Sequence, residues 1–167
     1  MSIRPILTFP HPALRLVAEP VAEFGENTRA LAQDLLDTMR DAPGIGITAP
    51  HIGVARRLVV IELEPGAARF YANPEILWAS NDLVRREEGS VSMPGVSDEV
   101  ERPASIRVRY HDLSGAICTE EASGLLATCL QHEIDQLDGI FWIFRLSKLK
   151  RDRLIKRFDK LKRNART

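Results

Sequence analysis

Apolar residues recur at helical spacing in one stretch near the start of this chain and in another near its end. In residues 27–42 the apolar positions are three or four residues apart, as on one helix face, at Leu31, Leu35, Leu36 and Met39. Asn27 or Thr28 can cap this helix, and Pro43-Gly44 ends it. Residues 149–162 show the same spacing at Leu154, Ile155, Phe158 and Leu161. We therefore predict an amphipathic helix in each stretch.

The middle of the chain has the pattern of β-strands. The apolar run Leu58–Ile61 and residues 70–77 are rich in branched and aromatic side chains. Apolar residues then alternate with polar ones over residues 106–110, and the turn residues Ser114-Gly115 separate them from the β-prone residues 117–119. The pattern predicts two strands and a hairpin.

Residues 123–137 predict a third helix, which is apolar around most of its circumference. Only Thr128, Gln131 and Asp135 remain for a solvent-facing side. A helix of this kind is expected to be central and buried. His132 and Glu133 would then face an interior or a cleft, where titrating groups have perturbed pKa values and carry out chemistry.

The size and composition of the chain indicate a single domain. The length of 167 residues and the hydrophobic content of 44% suffice for one core. We see no apolar run long enough for a signal peptide or a membrane span, which predicts a cytoplasmic protein that does not bind membranes. Cys118 and Cys129 form no paired-cysteine motif, so we expect neither a disulfide framework nor a structural zinc site.

Charge is unevenly distributed although the formal net charge is zero. Residues 147–167 hold ten Lys or Arg against two Asp or Glu, a net charge of +8, and residues 1–146 carry the balancing −8. This asymmetry divides the chain into a core, residues 1–146, and a basic amphipathic helix, residues 147–167, packed on the core or extending from it. The helix is suited to an acidic partner surface such as nucleic acid.

The segment Gln131-His132-Glu133-Ile134-Asp135-Gln136 departs at one position from a metalloenzyme motif. A His-Glu-x-x-His run places two imidazoles on one helix face, where both can bind a metal beside the glutamate that acts as base. Here Gln136 stands in place of the second histidine. A neutral amide oxygen binds a transition metal far more weakly than imidazole, so the helix retains only one of its two strong metal ligands.

Three separated segments resemble the motifs of the peptide deformylase family, whose members remove the formyl group from the N-terminal methionine of new chains. Gly44-Ile45-Gly46-Ile47-Thr48-Ala49-Pro50-His51 resembles Gly-x-Gly-x-Ala-Ala-x-Gln, and Glu88-Gly89-Ser90-Val91-Ser92 resembles Glu-Gly-Cys-Leu-Ser. Residues 131–139 resemble Gln-His-Glu-x-Asp-His-Leu-x-Gly. The resemblance implies the α+β peptide deformylase fold, with antiparallel sheets around a central helix that bears the His-Glu motif and a helix at the C-terminus.

The resemblance also assigns roles, and the departures fall on the chemistry. It implies that one divalent metal, iron or zinc, is held at the positions of Ser90, His132 and Gln136, with Glu133 as the catalytic base. His51 and the N–H of Val91 take the oxyanion-stabilising positions. The implied peptide contacts are Gly44, Ile45, Gly46, Gly89 and Val91. Thr48, Ser97 and Phe144 replace a small alanine, an arginine and an aspartate of the family.

These departures predict impaired or lost deformylation. A serine hydroxyl stays protonated at neutral pH, so His132 alone is a strong ligand. We expect no resident metal, with weak residual binding at His132. Base assistance by Glu133 would supply only about 10²–10⁴-fold acceleration, short of typical enzymatic values. The chain is thus predicted to be a peptide deformylase-like protein with a degenerate metal site, a pseudoenzyme.

Two other functions fit the same residues. Ser90 and His132 could form the nucleophile and base of a rebuilt amide hydrolase, although a polar cavity without chemistry is the simpler interpretation. The cleft could instead retain formylated nascent peptides without turnover, because backbone contacts survive the loss of ligands. The basic helix resembles the family's ribosome-docking tail and would then contact ribosomal RNA, whereas nothing indicates DNA. A solvated amphipathic helix explains the same charges.

Overall fold

A computed structural model describes residues 2–165 of the chain. Its regular elements, in chain order, are α1 (Glu26–Asp41), β1 (Gly46–Thr48), β2 (Leu58–Ile61), β3 (Arg69–Ala79), β4 (Leu83–Ser90), β5 (Met93–Pro103), β6 (Ser105–His111), β7 (Ile117–Ser123), α2 (Gly124–Leu137) and α3 (Lys148–Ala165). Short 3-10 helices cover Pro12–Arg15, Ala49–Ile52 and Trp142–Arg145. None of the helices in residues 2–165 has the length and apolar character that crossing a membrane requires.

A five-stranded antiparallel sheet lies between two of the helices. Its strand order is β1-β2-β3-β6-β7. Along β2, Val59 and Ile61 pack in the cluster of α2, while Leu58 and Val60 pack in the cluster of α1. Because successive side chains of a strand point to opposite faces, a strand covered on both sides is apolar throughout. This explains the unbroken apolar run, and the predicted strand Leu58–Ile61 is confirmed.

The predicted hairpin is confirmed as the pair β6 and β7, and the segment 70–77 lies within β3. The resemblance implies more than one antiparallel sheet, which is confirmed, but the residue pattern did not locate the second one. It is the two-stranded hairpin of β4 and β5, which are rich in charged residues. Its residues alternate between exposed and covered positions, and the covered face includes Glu88, Val100 and Arg102. The buried charged residues Glu88 and Arg102 of this hairpin lie beside the candidate site.

Helix α2 is central and buried, as predicted, and it contacts both sheets. The expectation that Thr128, Gln131 and Asp135 form a solvent-facing side is wrong, because all three are at most 8% exposed. The Gln131 amide donates to the carbonyl oxygens of Pro103 and Ala127. Asp135 accepts hydrogen bonds from two arginines. Polar residues on this helix are therefore buried with partners, which a hydrophobicity pattern alone cannot distinguish from exposure.

The C-terminal helix packs on the core rather than projecting from it. Leu154 and Phe158 are buried against β5 and the 3-10 helix Trp142–Arg145, in a cluster that includes Met93, Val96, Phe141 and Trp142. The helix is longer than the predicted 149–162, and residues 166–167 lie outside the described part of the chain. Its basic residues occupy the turns between these apolar contacts and are mostly exposed.

The packing of α3 predicts unequal effects of two truncations. Replacing Phe158 by Ala should lower the free energy of unfolding by about 3–5 kcal/mol, the usual cost of emptying a buried aromatic site. Leu149→Ala, at a residue that is 61% exposed, should change it by less than about 0.5 kcal/mol. Urea unfolding of both variants tests the expectation. A small effect of both would show that α3 contributes little to the core.

Candidate active site

A cleft of about 450 Å³ opens between β1 and the β4–β5 hairpin, with α2 as its floor. One wall is residues 42–46, at the free edge of the five-stranded sheet, and the opposite wall is formed by residues 87–91 and 93–96. The floor consists of residues one helical turn apart on a single face of α2: Leu125, Thr128, Cys129, His132 and Glu133. The site thus combines an edge strand, a hairpin and a buried helix.

A chain of buried charges fixes the orientation of His132. The imidazole Nδ1 lies 2.8 Å from Glu88 Oε1, so its N–H donates to the carboxylate. Glu88 in turn accepts two hydrogen bonds from the Arg102 guanidinium, at 2.6 and 2.9 Å. Arg102 also donates to Asp135 at 2.8 Å, and Asp135 accepts from Arg145. The ring is held with Nε2 turned away from Glu88.

These partners also determine the charge state of His132. Burial disfavours the imidazolium, but the hydrogen bond to Glu88 and the negative charge of Glu133 outweigh it and raise the pKa of His132. Nε2 lies 3.4 Å from Glu133 Oε1. The raised pKa favours a protonated ring between two carboxyl groups.

Glu133 is buried in the cleft with unfilled hydrogen-bonding capacity. Burial and the neighbouring charge of Glu88 raise the pKa of its carboxyl to about 7, and the charge of His132 opposes them. Within residues 2–165, its Oε2 has no hydrogen-bond partner. A Cβ at Gly46 would lie 3.4 Å from Glu133 Cδ, so the strand β1 passes close to the carboxyl. Such a carboxyl can act as a base at neutral pH or accept a hydrogen bond from an N–H of a ligand.

His51 carries a second polar atom without a hydrogen-bond partner among the described residues. The hydrogen bonds of its other ring nitrogen determine its tautomer. The backbone N–H of Thr48 donates to His51 Nδ1 at 2.9 Å, and the Thr48 hydroxyl lies 2.9 Å from the same atom. Because a backbone N–H can only donate, Nδ1 is unprotonated and the ring proton is on Nε2. Burial and the charge of His132 lower the pKa of His51 to about 3, so the ring is neutral. Nε2–H is buried and finds no partner in the described residues, which leaves a donor available in the cleft.

The three positions that the family uses as metal ligands are not brought together as ligands. Ser90 and His132 line the cleft, and Ser90 Oγ accepts the backbone N–H of Ser92 at 3.0 Å. Gln136 is absent from the cleft lining, and its amide donates to the carbonyl oxygen of Leu14 at 2.7 Å. Residues 2–165 contain no group of three or more His, Cys, Asp or Glu residues arranged to hold a metal. The donor set therefore does not fit the family's metal.

The nucleophile–base arrangement is also not formed. No hydrogen bond between Ser90 Oγ and His132 occurs among the described residues, and the closer contacts of His132 are with Glu88 and Glu133. A carboxylate that orients the histidine is nevertheless present, namely that of Glu88. This role of Glu88 was not predicted from the sequence.

The predicted peptide-contact residues line the same cleft. Gly44, Ile45 and Gly46 form one wall, and Gly89 and Val91 belong to the other. The two walls approach each other closely, since a Cβ at Gly44 would lie only 2.7 Å from Val91 Cγ1. A side chain at position 44 would therefore displace Val91 of the opposite wall.

The two substituted positions outside the motifs have local partners. The Ser97 hydroxyl donates to Glu87 Oε1 at 2.6 Å at the mouth of the cleft. The Phe144 ring lies between the guanidinium groups of Arg15 and Arg151, each 5.1 Å from the ring centroid. Both side chains are therefore held by contacts at the surface of the protein.

Comparison with known proteins identifies what this arrangement resembles. The profile of the polypeptide deformylase family matches residues 3–152. A protein of Brucella suis described as peptide deformylase-like is 63% identical over 164 residues, which are 98% of this chain and all of that protein. A second protein of Brucella suis, described as peptide deformylase, is 47% identical over 165 residues, with 96% of this chain and 94% of that protein covered. A crystal structure of a peptide deformylase from Legionella pneumophila has a TM-score of 0.93 at 41% identity and covers 99% of both chains.

The neutral, buried His51 predicts a specific pH dependence of stability. In the unfolded chain the imidazole titrates near 6.5, whereas in the folded chain its pKa is lowered to about 3. The unfolded state therefore binds more protons between these values, and stability falls as the pH decreases through this window. Between pH 7 and pH 5 this contribution amounts to about 2 kcal/mol.

His51→Gln removes this contribution. The variant should lose about 2 kcal/mol less stability between pH 7 and pH 5 than the unchanged chain, as measured by urea unfolding at both pH values. His11→Gln, at an exposed histidine, is the matched control and should follow the unchanged chain. Parallel pH dependence of all three proteins would show that His51 titrates normally.

Proposed function

The chain belongs to the peptide deformylase family, and from this membership and its cleft we propose that it binds N-formylated peptides while hydrolysing them slowly or not at all. The observation that carries the proposal is the position of Gln136. It occupies a metal-ligand position of the family, yet its amide is directed to the Leu14 carbonyl instead of the cleft. The peptide-contact walls around the cleft are nevertheless complete.

Peptide binding is supported by the free edge of the larger sheet. Strand β1 pairs with β2 on one side only, and its other side borders the cleft. An extended peptide can add to such an edge through main-chain hydrogen bonds, which do not depend on the metal. The formyl group has two matching partners: Nε2–H of His51 can donate to its oxygen, and Glu133 Oε2 can accept an N–H.

Weak hydrolysis is supported by the chemistry of the donors. When bound in the family site, the metal supplies an activated water. In this chain the amide at position 136 donates elsewhere, and Ser90 carries a hydroxyl that already accepts a backbone hydrogen bond. Without a metal the remaining catalytic groups are Glu133 and the His51 donor. Base assistance of about 10²–10⁴-fold is far below the 10⁶-fold or more that enzymes reach.

The two Brucella suis relatives favour a role distinct from deformylation. One organism has both a deformylase-like protein and a deformylase, and this chain is more similar to the deformylase-like one. Formyl removal by the second protein would leave the first free for binding.

We also propose that the chain binds formylated peptides at the ribosome, through the basic residues of α3. Because Leu154 and Phe158 hold α3 on the hairpin, its lysines and arginines are displayed together on the surface, where they can neutralise RNA phosphates. Binding of this kind would weaken steeply as the salt concentration rises.

Binding and turnover of formyl-Met-Ala-Ser test the proposed function. We expect saturable binding with a dissociation constant below about 1 mM, measured by titration calorimetry. Turnover assayed anaerobically should be the same with and without added ferrous, nickel or zinc ion. Metal-dependent turnover that Glu133→Ala abolishes would contradict the proposal, as would the absence of binding at millimolar peptide.

Two glycine substitutions provide a matched control for the binding site. Gly44→Ala places a methyl group 2.7 Å from Val91 Cγ1 and should reduce binding by displacing a cleft wall. Gly25→Ala meets no atom within 4 Å and should bind normally.

Rebuilding the ligand set should restore the missing chemistry. The double variant Ser90→Cys/Gln136→His recreates a thiolate and a second imidazole at the positions used by the family. We expect it to retain one zinc ion per chain after dialysis, as measured by mass spectrometry, and to gain metal-dependent deformylation. The unchanged chain should retain none. Equal metal contents of the two proteins would show that the ligand substitutions do not explain weak metal binding.

A further inference from the structure

The floor of the cleft on the N-terminal side of His132 is formed by Leu125, Thr128 and Cys129 of α2, and we refer to this part of the cleft as the recess. Thr128 precedes His132 by four residues and is therefore about 6 Å away along the helix axis, on the same face. A peptide whose formyl group contacts His51 and Glu133 would extend its first side chain over a distance of this size. The recess is thus positioned to select the first side chain.

One polar atom in the wall of this recess is unsatisfied. Thr128 is 4% exposed, and its Oγ1 is buried without a hydrogen-bond partner in the described residues. An unpaired buried hydroxyl is destabilising, because its lost hydration is not replaced by a hydrogen bond. Native proteins tolerate few such groups, and a ligand that pairs with the hydroxyl would remove the cost.

Arg86 supplies a second unsatisfied group beside the recess. It precedes Glu88 by two residues on β4, so both side chains point to the face of the hairpin that covers α2. Its Nη2 lies 4.0 Å from the position of a Cβ on Gly124, at the first turn of α2. Its Nε is buried and has no hydrogen-bond partner among residues 2–165.

No carboxylate neutralises Arg86 within the described chain. Glu88, two residues away, is already occupied: Oε1 accepts from Arg102 and His132, and Oε2 accepts from Arg102. A guanidinium that is partly buried next to an apolar helix normally pairs with an anion or an oxygen acceptor. Thr128 on the cleft floor and Arg86 beside the first turn of α2 therefore provide two hydrogen-bond donors that lack acceptors among the described residues.

We propose that this recess selects peptides whose first side chain ends in an oxygen acceptor, with Thr128 and Arg86 as the residues that determine specificity. The proposal rests on the proposed binding of formylated peptides and adds the class of side chain. A terminal oxygen would accept from the Thr128 hydroxyl and the Arg86 guanidinium. A purely hydrocarbon side chain would fill the same space beside Leu125 but leave both donors unpaired.

Matched peptides that differ only in the first residue test this proposal. Formyl-X-Ala-Ser is titrated calorimetrically with X as norleucine, methionine sulfoxide or glutamate. The first has no acceptor, the second has a neutral oxygen and the third has a carboxylate. We expect at least one of the two oxygen-bearing peptides to bind about tenfold or more tightly than the norleucine peptide, because a hydrogen bond to a charged group contributes about 1.5–3 kcal/mol. Tighter binding of glutamate than of sulfoxide would identify a carboxylate as the acceptor, and the reverse would identify a neutral oxygen.

Four variants separate recognition from folding. Thr128→Val keeps the shape of the side chain and removes the hydroxyl, and Arg86→Met removes the charge; each should abolish most of the preference over norleucine. Thr128→Ser and Arg86→Lys keep a donor and should retain it. Thermal unfolding monitored for all variants shows whether each protein is folded under the titration conditions.

The outcomes also separate this proposal from the proposed function. Equal or tighter binding of the norleucine peptide by the unchanged chain would overturn the specificity alone, because binding itself would be established. A preference that persists in both Thr128→Val and Arg86→Met would overturn the assignment of these residues. Binding of none of the three peptides by folded protein would overturn the proposed function as well.

Discussion

The candidate site depends on the buried carboxylate of Glu88. It joins the β4–β5 hairpin to α2 by accepting hydrogen bonds from Arg102 and from His132. Removing one member of such a network leaves an uncompensated buried charge, which typically costs 3–5 kcal/mol. The hairpin forms a wall of the cleft and α2 forms its floor, so the geometry of the cleft is tied to these charges. The network extends through Asp135 to Arg145, which precedes α3.

This network explains how the site can keep its shape while its ligand set has changed. In the family, a metal would tie together the hairpin and the helix. Here Glu88 of the hairpin orients His132, and Gln136 joins α2 to the N-terminal segment through the Leu14 carbonyl. A buried amide must have a partner, and the Leu14 carbonyl provides one. Contacts between protein groups therefore join the hairpin, α2 and the N-terminal segment around the cleft.

Elements whose burial follows a regular period could be predicted from the sequence. The helices and the strands β2, β3, β6 and β7 have either an apolar face or a continuous apolar run. Strands β4 and β5 were not predicted, because their alternation is carried by charged residues such as Arg102, which a hydrophobicity pattern assigns to solvent. The same cause produced the wrong solvent-facing side of α2. Hydrogen-bonded burial depends on a partner distant in sequence, and Glu88 and Arg102 are 14 residues apart.

The site residues were found through family motifs, and the roles of their replacements required coordinates. The sequence placed His51 at an oxyanion position, yet its charge and tautomer follow from burial and from the backbone of Thr48. Thr48, which replaces a small alanine of the family, holds the ring that presents Nε2–H. Neutral donors and an unpaired carboxyl oxygen favour a ligand that brings both an acceptor and a donor, as an amide does. The formamide group of the proposed ligand carries both, so it could pair with His51 and Glu133 together.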